Sequence, residues 1–284
     1  MKRHIQSVLI LIAITILLGL VAVALEPKPR QSEGSLAMLD IGQGDSFLVT
    51  APSGAQMLID GGKDSAVLTQ LGKVMPAGDR FIDVVIATHP DADHIGGLPL
   101  VLRRYRVGLY LTSQVASDSQ VYKDLNQLII DRKIPAYFVR KGMVVRLDPV
   151  TRFTVLFPNR DTTGWETNTA SVVGRLDIGQ SSGLLTGDSP TSIETYLTRT
   201  TPQLLDVDVL KLGHHGSKTS SSEDFLRAAS PDLALISAGV NNRYGHPATE
   251  VIERLKSLKI PWVSTQDKGT VVLTPAQGGW AVQK

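Results

Sequence analysis

Cysteine is absent from the 284 residues, which excludes disulfide bonds, thiol nucleophiles and cysteine-ligated zinc. Aromatic residues are also scarce, at 5% of the chain. Only two of the 29 basic residues, Lys2 and Arg3, precede residue 26, so the rest of the chain carries 27 basic and 27 acidic side chains. This balance does not indicate a general nucleic-acid-binding surface, but it does not exclude a local basic groove.

Long apolar runs are missing too, with one exception near the N-terminus. Residues 8–25 are uncharged and almost wholly apolar. The Ala22-Val23-Ala24 pattern favours a cleaved secretory signal, whereas the length of the run favours a retained membrane anchor. In both cases the basic start stays in the cytoplasm and the remainder is exported, to the periplasm or the extracellular space. We therefore predict a signal peptide or anchor with a short linker over residues 1–34, and one domain over residues 35–284.

Strand and helix patterns alternate along the predicted domain. Apolar runs bounded by turn residues predict strands, for example over residues 35–42, 45–51 and 82–88. Apolar spacing of three to four residues predicts helices, for example over residues 65–75 and 119–132. Both β-hairpins and β-α-β runs occur. The pattern therefore predicts an α/β (α+β) domain of mixed sheets covered by helices, not a purely parallel sheet.

The stretch HPDADH directly follows the predicted strand 82–88, and we expect it to form a loop. It places His89, Asp91, Asp93 and His94 within six residues, and such groups are costly to bury without a partner. Imidazole and carboxylate ligands together suit Zn²⁺, Mn²⁺ or Fe. A single His–Asp pair is most often a surface contact. However, five of the six histidines lie in three short clusters that each follow a predicted strand, which favours metal binding.

Three further predicted strands end in polar clusters. LIDGG contains Asp60, LLTGD ends with Asp188, and LKLGHHGS contains His214 and His215. Loops at strand ends are where α/β folds place their sites. A pair of metal ions usually shares a carboxylate, and Asp188 is the candidate for that bridge. Alternation along a strand predicts that only one of the two adjacent histidines faces the metals.

Taken in order, these motifs together with LDIGQGDS and SAGVNNRYGHP resemble those of the metallo-β-lactamase-fold hydrolases. More narrowly, they resemble the ComEC-like branch, which comprises the soluble domain of DNA-uptake competence proteins and its stand-alone relatives. The resemblance extends from about Leu36 to the C-terminus. It implies a four-layer αβ/βα sandwich of two mixed sheets with outer helices, preceded by one N-terminal hydrophobic helix.

The resemblance also implies a two-metal site and a role for each of its residues. Asp188 would bridge the ions, Asp93 would orient the attacking water, and Asp60 would support a ligand by hydrogen bonding. Asp93 and Asp188 are the expected catalytic residues. His214 ranks before His215 as the last imidazole ligand. The implied ligands are His89 and Asp91 for the first ion, Asp93 and His94 for the second, Asp188 as the bridge, and His214.

The chain departs from the superfamily pattern in its ligand types. Asp91 replaces a histidine, as in the ComEC-like branch, and no histidine lies between residues 95 and 213, where many members supply another ligand. Asn168 and Ser171 stand where the branch has an Asn/Ser motif. Such an oxygen-rich position shifts the expected metal toward Mn²⁺. The implied cofactors are two divalent metal ions, Zn²⁺ or Mn²⁺.

The implied activity is hydrolysis by a metal-activated hydroxide. We expect a phosphodiesterase or nuclease, because the ComEC-like domain is linked with degradation of a DNA strand during uptake. The alternatives are a carbonyl-directed hydrolase, such as a lactonase or β-lactamase-like enzyme, and a non-catalytic binding module. Asp91 and the missing middle histidine argue against β-lactam chemistry, and the intact ligand set argues against a vestigial site.

The expected partners follow from this activity. The substrate is a phosphodiester, either DNA or a small one such as a choline-phosphate headgroup. Residues 8–25 would contact the membrane if they are not cleaved, and a role in DNA uptake would need a separate membrane channel. His246 has an alternative role as the cap of a helix that begins near Pro247. The candidates for contacting a phosphate or protonating the leaving group are His215, Ser217, Lys218 and His246.

Overall fold

Residues 33–283 are described by a computed structural model, and they form two β-sheets with helices on their outer faces. The predicted N-terminal hydrophobic helix lies outside these residues, so it and the domain boundary at residue 35 stay predictions. No helix within residues 33–283 is long and apolar enough to span a membrane.

The strands are short and bounded by turns, as the sequence predicts. In chain order they are β1 (Ser35–Met38), β2 (Phe47–Thr50), β3 (Gln56–Ile59), β4 (Phe81–Ala87), β5 (Arg106–Thr112), β6 (Ala136–Phe138), β7 (Val144–Arg146), β8 (Thr151–Phe157), β9 (Val173–Ile178), β10 (Ser181–Leu185), β11 (Val209–Lys211), β12 (Leu233–Ile236), β13 (Trp262–Ser264), β14 (Val271–Ala276) and β15 (Gly279–Val282).

The α-helices within residues 33–283 are α1 (Ala66–Val74), α2 (Ala92–Ile95), α3 (Leu98–Arg104), α4 (Gln120–Asp131), α5 (Thr191–Thr200), α6 (Glu223–Ala229), α7 (Thr249–Leu258) and α8 (Thr265–Lys268). Six of these eight helices lie where the apolar spacing predicts them, and the short helices α2 and α8 were not predicted. In α4, the Ser119 side chain accepts a hydrogen bond from Tyr122 N and thereby caps the helix, while Leu125 and Ile129 lie on its buried face.

Both sheets are mixed. The first sheet has the order β15-β14-β1-β2-β3-β4-β5-β6, antiparallel from β15 to β3 and parallel from β3 to β6. The second has the order β13-β12-β11-β10-β9-β8-β7, parallel from β13 to β10 and antiparallel from there on. Parallel neighbours end at the same edge, so the polar clusters after β3 and β4 lie together, as do those after β10, β11 and β12.

Three apolar layers hold the four-layer sandwich together. Phe47 and Val49 of β2 face the second sheet, whereas Leu48 between them faces the helices on the outside. The outer face of the second sheet packs on helices through residues such as Leu197 and Phe225. Each such side chain contributes about 1.5–3 kcal/mol on burial. The predicted α+β fold with two mixed sheets and outer helices is thus confirmed.

Two predicted details were wrong in their local conformation. The stretch HPDADH is not a continuous loop, because α2 begins at Ala92 and carries Asp93 and His94. The GHHG stretch after β11 is not strand-like, since it forms a 3₁₀ turn in which His214 and His215 have φ values of 50° and 56°. Alternation along a strand therefore does not govern which side chains point to the centre.

Candidate metal centre

Glycine-rich loops at the ends of β1, β3 and β4 bring the predicted site residues together. The amide of Gly61 donates to the carbonyl oxygen of His94 at 2.7 Å, and the amide of Gly97 donates to Gly62 at 2.9 Å. A Cβ at Gly97 would lie within 3.0 Å of neighbouring backbone and side-chain atoms, so the close approach requires glycine. The LIDGG loop is thereby fixed against the helix that carries His94.

Asp60 is fully buried behind His94. Its Oδ1 accepts a hydrogen bond from the Thr88 amide at 2.8 Å, and its Oδ2 accepts one from Thr88 Oγ1 at 2.7 Å. The same Oδ2 lies 2.8 Å from His94 Nδ1. A carboxylate at Nδ1 fixes the ring orientation and leaves Nε2 for a metal. This is the geometry expected for the supporting role that the resemblance gives to Asp60.

Asp188 lies at the centre of the cluster. Its Oδ2 is 3.3 Å from His94 Nε2 and 3.3 Å from His215 Nε2. His215 Nδ1 donates to the Ser237 carbonyl oxygen at 2.9 Å, so its Nε2 also points to the cluster, where it can bind a metal ion in place of a proton. Bonds of about 2.0–2.2 Å around a tetrahedral ion place ligand atoms roughly 3.3–3.6 Å apart. Each of the two nitrogens therefore lies at the distance from Asp188 Oδ2 that ligands of one metal ion have.

His89 and Asp91 lie beside this cluster. His89 is fully buried, its ring centroid is 4.1 Å from that of His94, and its Nε2 is 3.7 Å from Asp91 Oδ2. The Asp91 side chain is 40% exposed, so this part of the centre opens to solvent. Ser171 Oγ is 3.3 Å from His89 Nδ1 and accepts a hydrogen bond from the Asp188 amide at 3.2 Å, which ties the two regions together.

The structure reverses the predicted order of the adjacent histidines. The His215 side chain is 1% exposed, and its Nε2 lies 3.5 Å from Asp93 Oδ2 as well as near Asp188. His214 is 29% exposed, its Nε2 is 3.7 Å from Asp188 Oδ2, and its Nδ1 lies 3.2 Å from Thr219 Oγ1. His215 is therefore the better placed ligand and His214 lies at the rim, because the 3₁₀ turn directs the two rings differently.

The electrostatics of the cluster favour a cation. Burial alone would raise the pKa of Asp188, but His215, His94 and Lys211 hold it well below its ordinary value. Burial alone would lower the pKa of His94 and His215, but the Asp188 carboxylate raises both well above the ordinary value. A proton or a metal ion at these nitrogens is thus stabilised by the same carboxylate.

Sequence reasoning missed a buried ion pair behind Asp188. Lys211 Nζ lies 2.5 Å from Asp45 Oδ2 and 3.4 Å from Asp188 Oδ1, and it donates to the Gly187 carbonyl oxygen at 2.7 Å. Asp45 Oδ1 is also 3.2 Å from His215 Nδ1. The available signal was a lysine within the otherwise apolar β11 and an aspartate that closes the LDIGQGDS turn.

The remaining predicted residues surround the centre at different depths. Asn168 begins a 3₁₀ turn that leads to Ser171, and its Oδ1 is buried without a hydrogen-bond partner among the described residues. Ser217 is buried with its Oγ 3.0 Å from Thr219 Oγ1, whereas Lys218 is exposed. The roles of Asn168, Ser217 and Lys218 in substrate or metal binding stay predictions.

His246 does not cap the following helix. The cap position of α7 is Ala248, and it has no side-chain cap hydrogen bond. The His246 ring instead lies 5.4 Å from the ring of His214 and 6.3 Å from that of His215. Burial, with the charges of these two rings, lowers the pKa of His246 to about 4, so it is neutral at pH 7.

The donor set fits divalent metal ions. The Nε2 atoms of His89, His94 and His215 are buried, and within residues 33–283 none has a hydrogen-bond partner. Buried polar atoms are normally satisfied, so three converging orphan nitrogens beside a carboxylate indicate an ion. Groups whose ligand atoms lie within 4.8 Å of one another are His89, His94 and Asp188; Asp93, His94 and His215; Asp45, Asp60 and His94; and Asp45, Asp188 and His215.

Comparison with known proteins agrees with this geometry. The family model described as the metallo-beta-lactamase superfamily matches residues 39–240. ComE operon protein 3 of Bacillus subtilis (strain 168) is 33% identical over 258 residues, which cover 84% of this chain and 33% of the relative. Competence protein ComA of Neisseria gonorrhoeae is 31% identical, over 96% of this chain and 36% of the relative. The chain thus spans about a third of the length of these relatives.

A solved structure supports the same fold. Igni18, a metallo hydrolase from the archaeon Ignicoccus hospitalis, aligns with a TM-score of 0.55 at 15% sequence identity, over 85% of this chain and 100% of that one. The family match and the competence relatives confirm the ComEC-like resemblance of the motifs. The chain belongs to the metallo-β-lactamase superfamily, whose members are generally metal-dependent hydrolases.

Proposed function

We propose that the chain is a metal-dependent phosphodiesterase with nuclease activity. The observation that carries this proposal is the charge of the approach to the metal centre. A cavity beside Asp93 has Lys63 and Arg243 in its walls, and two cations suit an anionic phosphodiester better than a neutral lactam or lactone. The replacement of an imidazole by Asp91 also makes one metal position oxygen-rich, which suits Mn²⁺. The competence relatives agree with the ComEC-like resemblance, which implies a DNA substrate.

In this proposal the site residues have separate roles in hydrolysis. Divalent ions in such a centre supply Lewis acidity toward a phosphoryl oxygen and lower the pKa of water. We assign the ions to His89 with Asp91 and to Asp93 with His94, with His215 as the further imidazole. Asp188 has a ligand atom close to those of His89 and His94 and also close to that of His215, so its carboxylate would be the one shared by the two ions.

Asp93 is suited to orient the attacking water. Its side chain is 29% exposed, so water reaches it. Burial alone would raise its pKa, but the neighbouring His215 and His94 rings lower it below the ordinary value. A carboxylate with a lowered pKa stays ionised and accepts a hydrogen bond from water, but it is a weak base. His246 is neutral at pH 7 and is therefore unsuited to be the resident acid for the leaving group.

The test is a substrate panel with metal analysis. The purified full chain, loaded with Mn²⁺ or Zn²⁺, is offered bis-p-nitrophenyl phosphate, single- and double-stranded DNA, and nitrocefin. We expect phosphodiester turnover without nitrocefin turnover. Asp188→Asn should lose bound metal and at least about a hundredfold in rate, since a ligand to both ions is weakened. Asp177→Asn is the control, because Asp177 pairs with Arg152 and Arg175 away from the centre.

Three outcomes separate the candidate functions. Nitrocefin turnover without phosphodiester turnover would establish carbonyl chemistry instead. A metal-loaded protein that turns over none of the substrates would indicate a binding module. An Asp188→Asn variant that keeps its metal and its rate would contradict the assignment of the centre.

The location and the partner of the enzyme are part of the same proposal. The apolar run over residues 8–25 after Lys2 and Arg3 supports export, with the domain secreted or anchored outside the cytoplasm. A DNA strand would then reach it through a separate membrane channel. Alkaline phosphatase fused at the C-terminus should be active, and carbonate extraction should leave the protein in the membrane fraction if residues 8–25 are retained. An inactive fusion would contradict export.

A further inference from the structure

A cavity of about 330 Å³ lies next to the metal centre, outside the predicted ligand set apart from Asp93. Besides Ala92 and Asp93 of α2, its walls come from the LDIGQGDS turn, the loop after β3, and the loop that follows β12. Because it opens beside Asp93, a group bound there would lie next to the reacting atoms. The lining residues are Gln43, Lys63, Ala92, Asp93, Asn242, Arg243 and Tyr244.

The loop that carries Tyr244 is held in place by its own side chains. Asn242 Oδ1 accepts from the amides of Tyr244 at 3.2 Å and His246 at 3.0 Å, and Asn242 Nδ2 donates to the Gly239 carbonyl oxygen at 2.9 Å. Gln266 Nε2 donates to the same Gly239 oxygen at 2.7 Å. Tyr244 is therefore presented on a preorganised loop although it is 53% exposed.

A row of rings connects Tyr244 to the metal centre. The Tyr244 ring is stacked on His246 with centroids 5.7 Å apart and an interplanar angle of 22°. His246 in turn lies 5.4 Å from His214 and 6.3 Å from His215. Tyr244 is thus an exposed aromatic ring that is separated from His214 and His215 only by the His246 ring.

Two cationic side chains and an unpaired amide donor line the same cavity as the Tyr244 ring. Arg243 Nη2 donates to Tyr244 Oη at 2.7 Å, and its guanidinium lies 4.9 Å from the ring centroid. Arg243 is exposed, so this contact is readily exchanged for a contact with a ligand. Lys63 is also exposed and lines the same cavity. Gln43 Nε2 is buried there with no hydrogen-bond partner among the described residues.

We propose that this cavity binds the unpaired nucleobase and the phosphate that flank the scissile bond of a single-stranded nucleic acid. Tyr244 stacks on the base, and Lys63 and Arg243 contact the neighbouring phosphate. The inference rests on the proposed phosphodiesterase function and specifies its substrate. A stacked base needs a free face, which a single strand has and an intact duplex lacks.

The charges separate this ligand from a choline-phosphate headgroup. Both ligands carry a phosphate, and both use an aromatic ring. A quaternary ammonium group would however lie beside Lys63 and Arg243, two like charges at close range. A nucleobase is uncharged and has no such conflict. The cavity therefore favours the nucleic acid.

The test measures stacking directly and does not depend on turnover. The metal-free full chain is titrated into a short single-stranded DNA that contains 2-aminopurine, whose fluorescence falls when the base stacks. Tyr244→Ala should weaken binding about 5- to 100-fold and abolish the fluorescence change, the usual loss for one stacked base. Tyr244→Phe should behave like the unmodified chain. Tyr137→Ala is the matched control, because Tyr137 is 60% exposed on the edge strand β6.

The outcomes keep this inference apart from the proposed function. Equal affinity of Tyr244→Ala and Tyr137→Ala, or equal binding of phosphocholine as a competitor, would overturn the subsite. Phosphodiester turnover by the unmodified chain, measured in parallel with bis-p-nitrophenyl phosphate and Mn²⁺, tests the function alone. Turnover without a Tyr244 effect rejects only the subsite, and 2-aminopurine stacking without turnover rejects only the function.

Discussion

The adjacent residues His214 and His215 differ in burial and in their contacts with the metal centre. His215 is buried with Nε2 near Asp93 and Asp188, whereas His214 is partly exposed with a longer contact to Asp188. His215→Ala should therefore lower metal affinity by more than the roughly 10–100-fold that is typical of losing an outer-shell partner. His214→Ala should cost at most about tenfold. Metal titration followed by native mass spectrometry measures the metal affinity of both variants.

Each variant is the control for the other, since both remove an imidazole from the same 3₁₀ turn. Equal metal loss in the two variants would contradict the assignment of His215. A larger loss in His214→Ala would restore the order that the motif suggested.

The ligand types and their clusters can be predicted from the sequence, but their final geometry cannot. Metal-binding side chains must be polar and must stand where buried strands end, and both features are visible in HPDADH and LLTGD. The choice between His214 and His215 depends on left-handed backbone angles that no strand pattern encodes. The pair of Asp45 and Lys211 forms between residues 166 positions apart, and neither carries a metal-binding signature.

At the scale of elements, the turn between β1 and β2 supports the site through its backbone. Gly44 has a φ of 124°, and the amide of Asp45 beside it donates to the Asp93 carbonyl oxygen at 3.2 Å. A Cβ on Gly44 would collide with that oxygen, whereas a Cβ on Gly42 would meet no atom within 4 Å. The turn thus packs directly on the start of the short helix α2, which carries Asp93.

Two glycine substitutions test this contact. Gly42→Ala, at a φ of 76°, should lower the free energy of unfolding by about 1 kcal/mol, the strain of a left-handed residue. Gly44→Ala should cost roughly 2–4 kcal/mol and also weaken metal binding, because the backbone of Asp93 must move. Urea denaturation and metal titration check the two effects. Equal destabilisation by both variants would show that the turn only needs its backbone angles.

The pattern of apolar residues predicted most elements because burial on a pleated or helical face repeats with a fixed period. The secondary-structure prediction failed in short segments where the backbone departs from a regular strand or helix pattern. HPDADH reads as a loop, yet Asp91 precedes a four-residue helix that turns Asp93 and His94 inward. Short polar helices such as α2 and α8 carry too little apolar spacing to be detected.

At the scale of the whole molecule, the metal centre lies where the two sheets meet. The first sheet contributes Asp60 and His89 after its parallel strands, and the second contributes Asp188 and His215. The sandwich core holds the two halves at the separation that the ligands need. Sequence alone predicts each half from its motif, and the resemblance to a known fold supplies their juxtaposition.

The buried pair of Lys211 and Asp45 joins the two sheets behind that centre, which makes it a test of the whole arrangement. Lys211→Met leaves Asp45 and Asp188 buried without their cation, so the free energy of unfolding of the metal-free chain should fall by about 3–5 kcal/mol. A divalent metal should restore part of this loss, because it binds the folded state beside Asp188. The double variant Lys211→Met with Asp45→Leu should recover much of the stability, since apolar replacement of a complete ion pair is often neutral. Urea denaturation with and without Mn²⁺ measures all three. If the free energy of unfolding of Lys211→Met were within about 1 kcal/mol of that of the unmodified chain, water and not Lys211 would compensate these carboxylates.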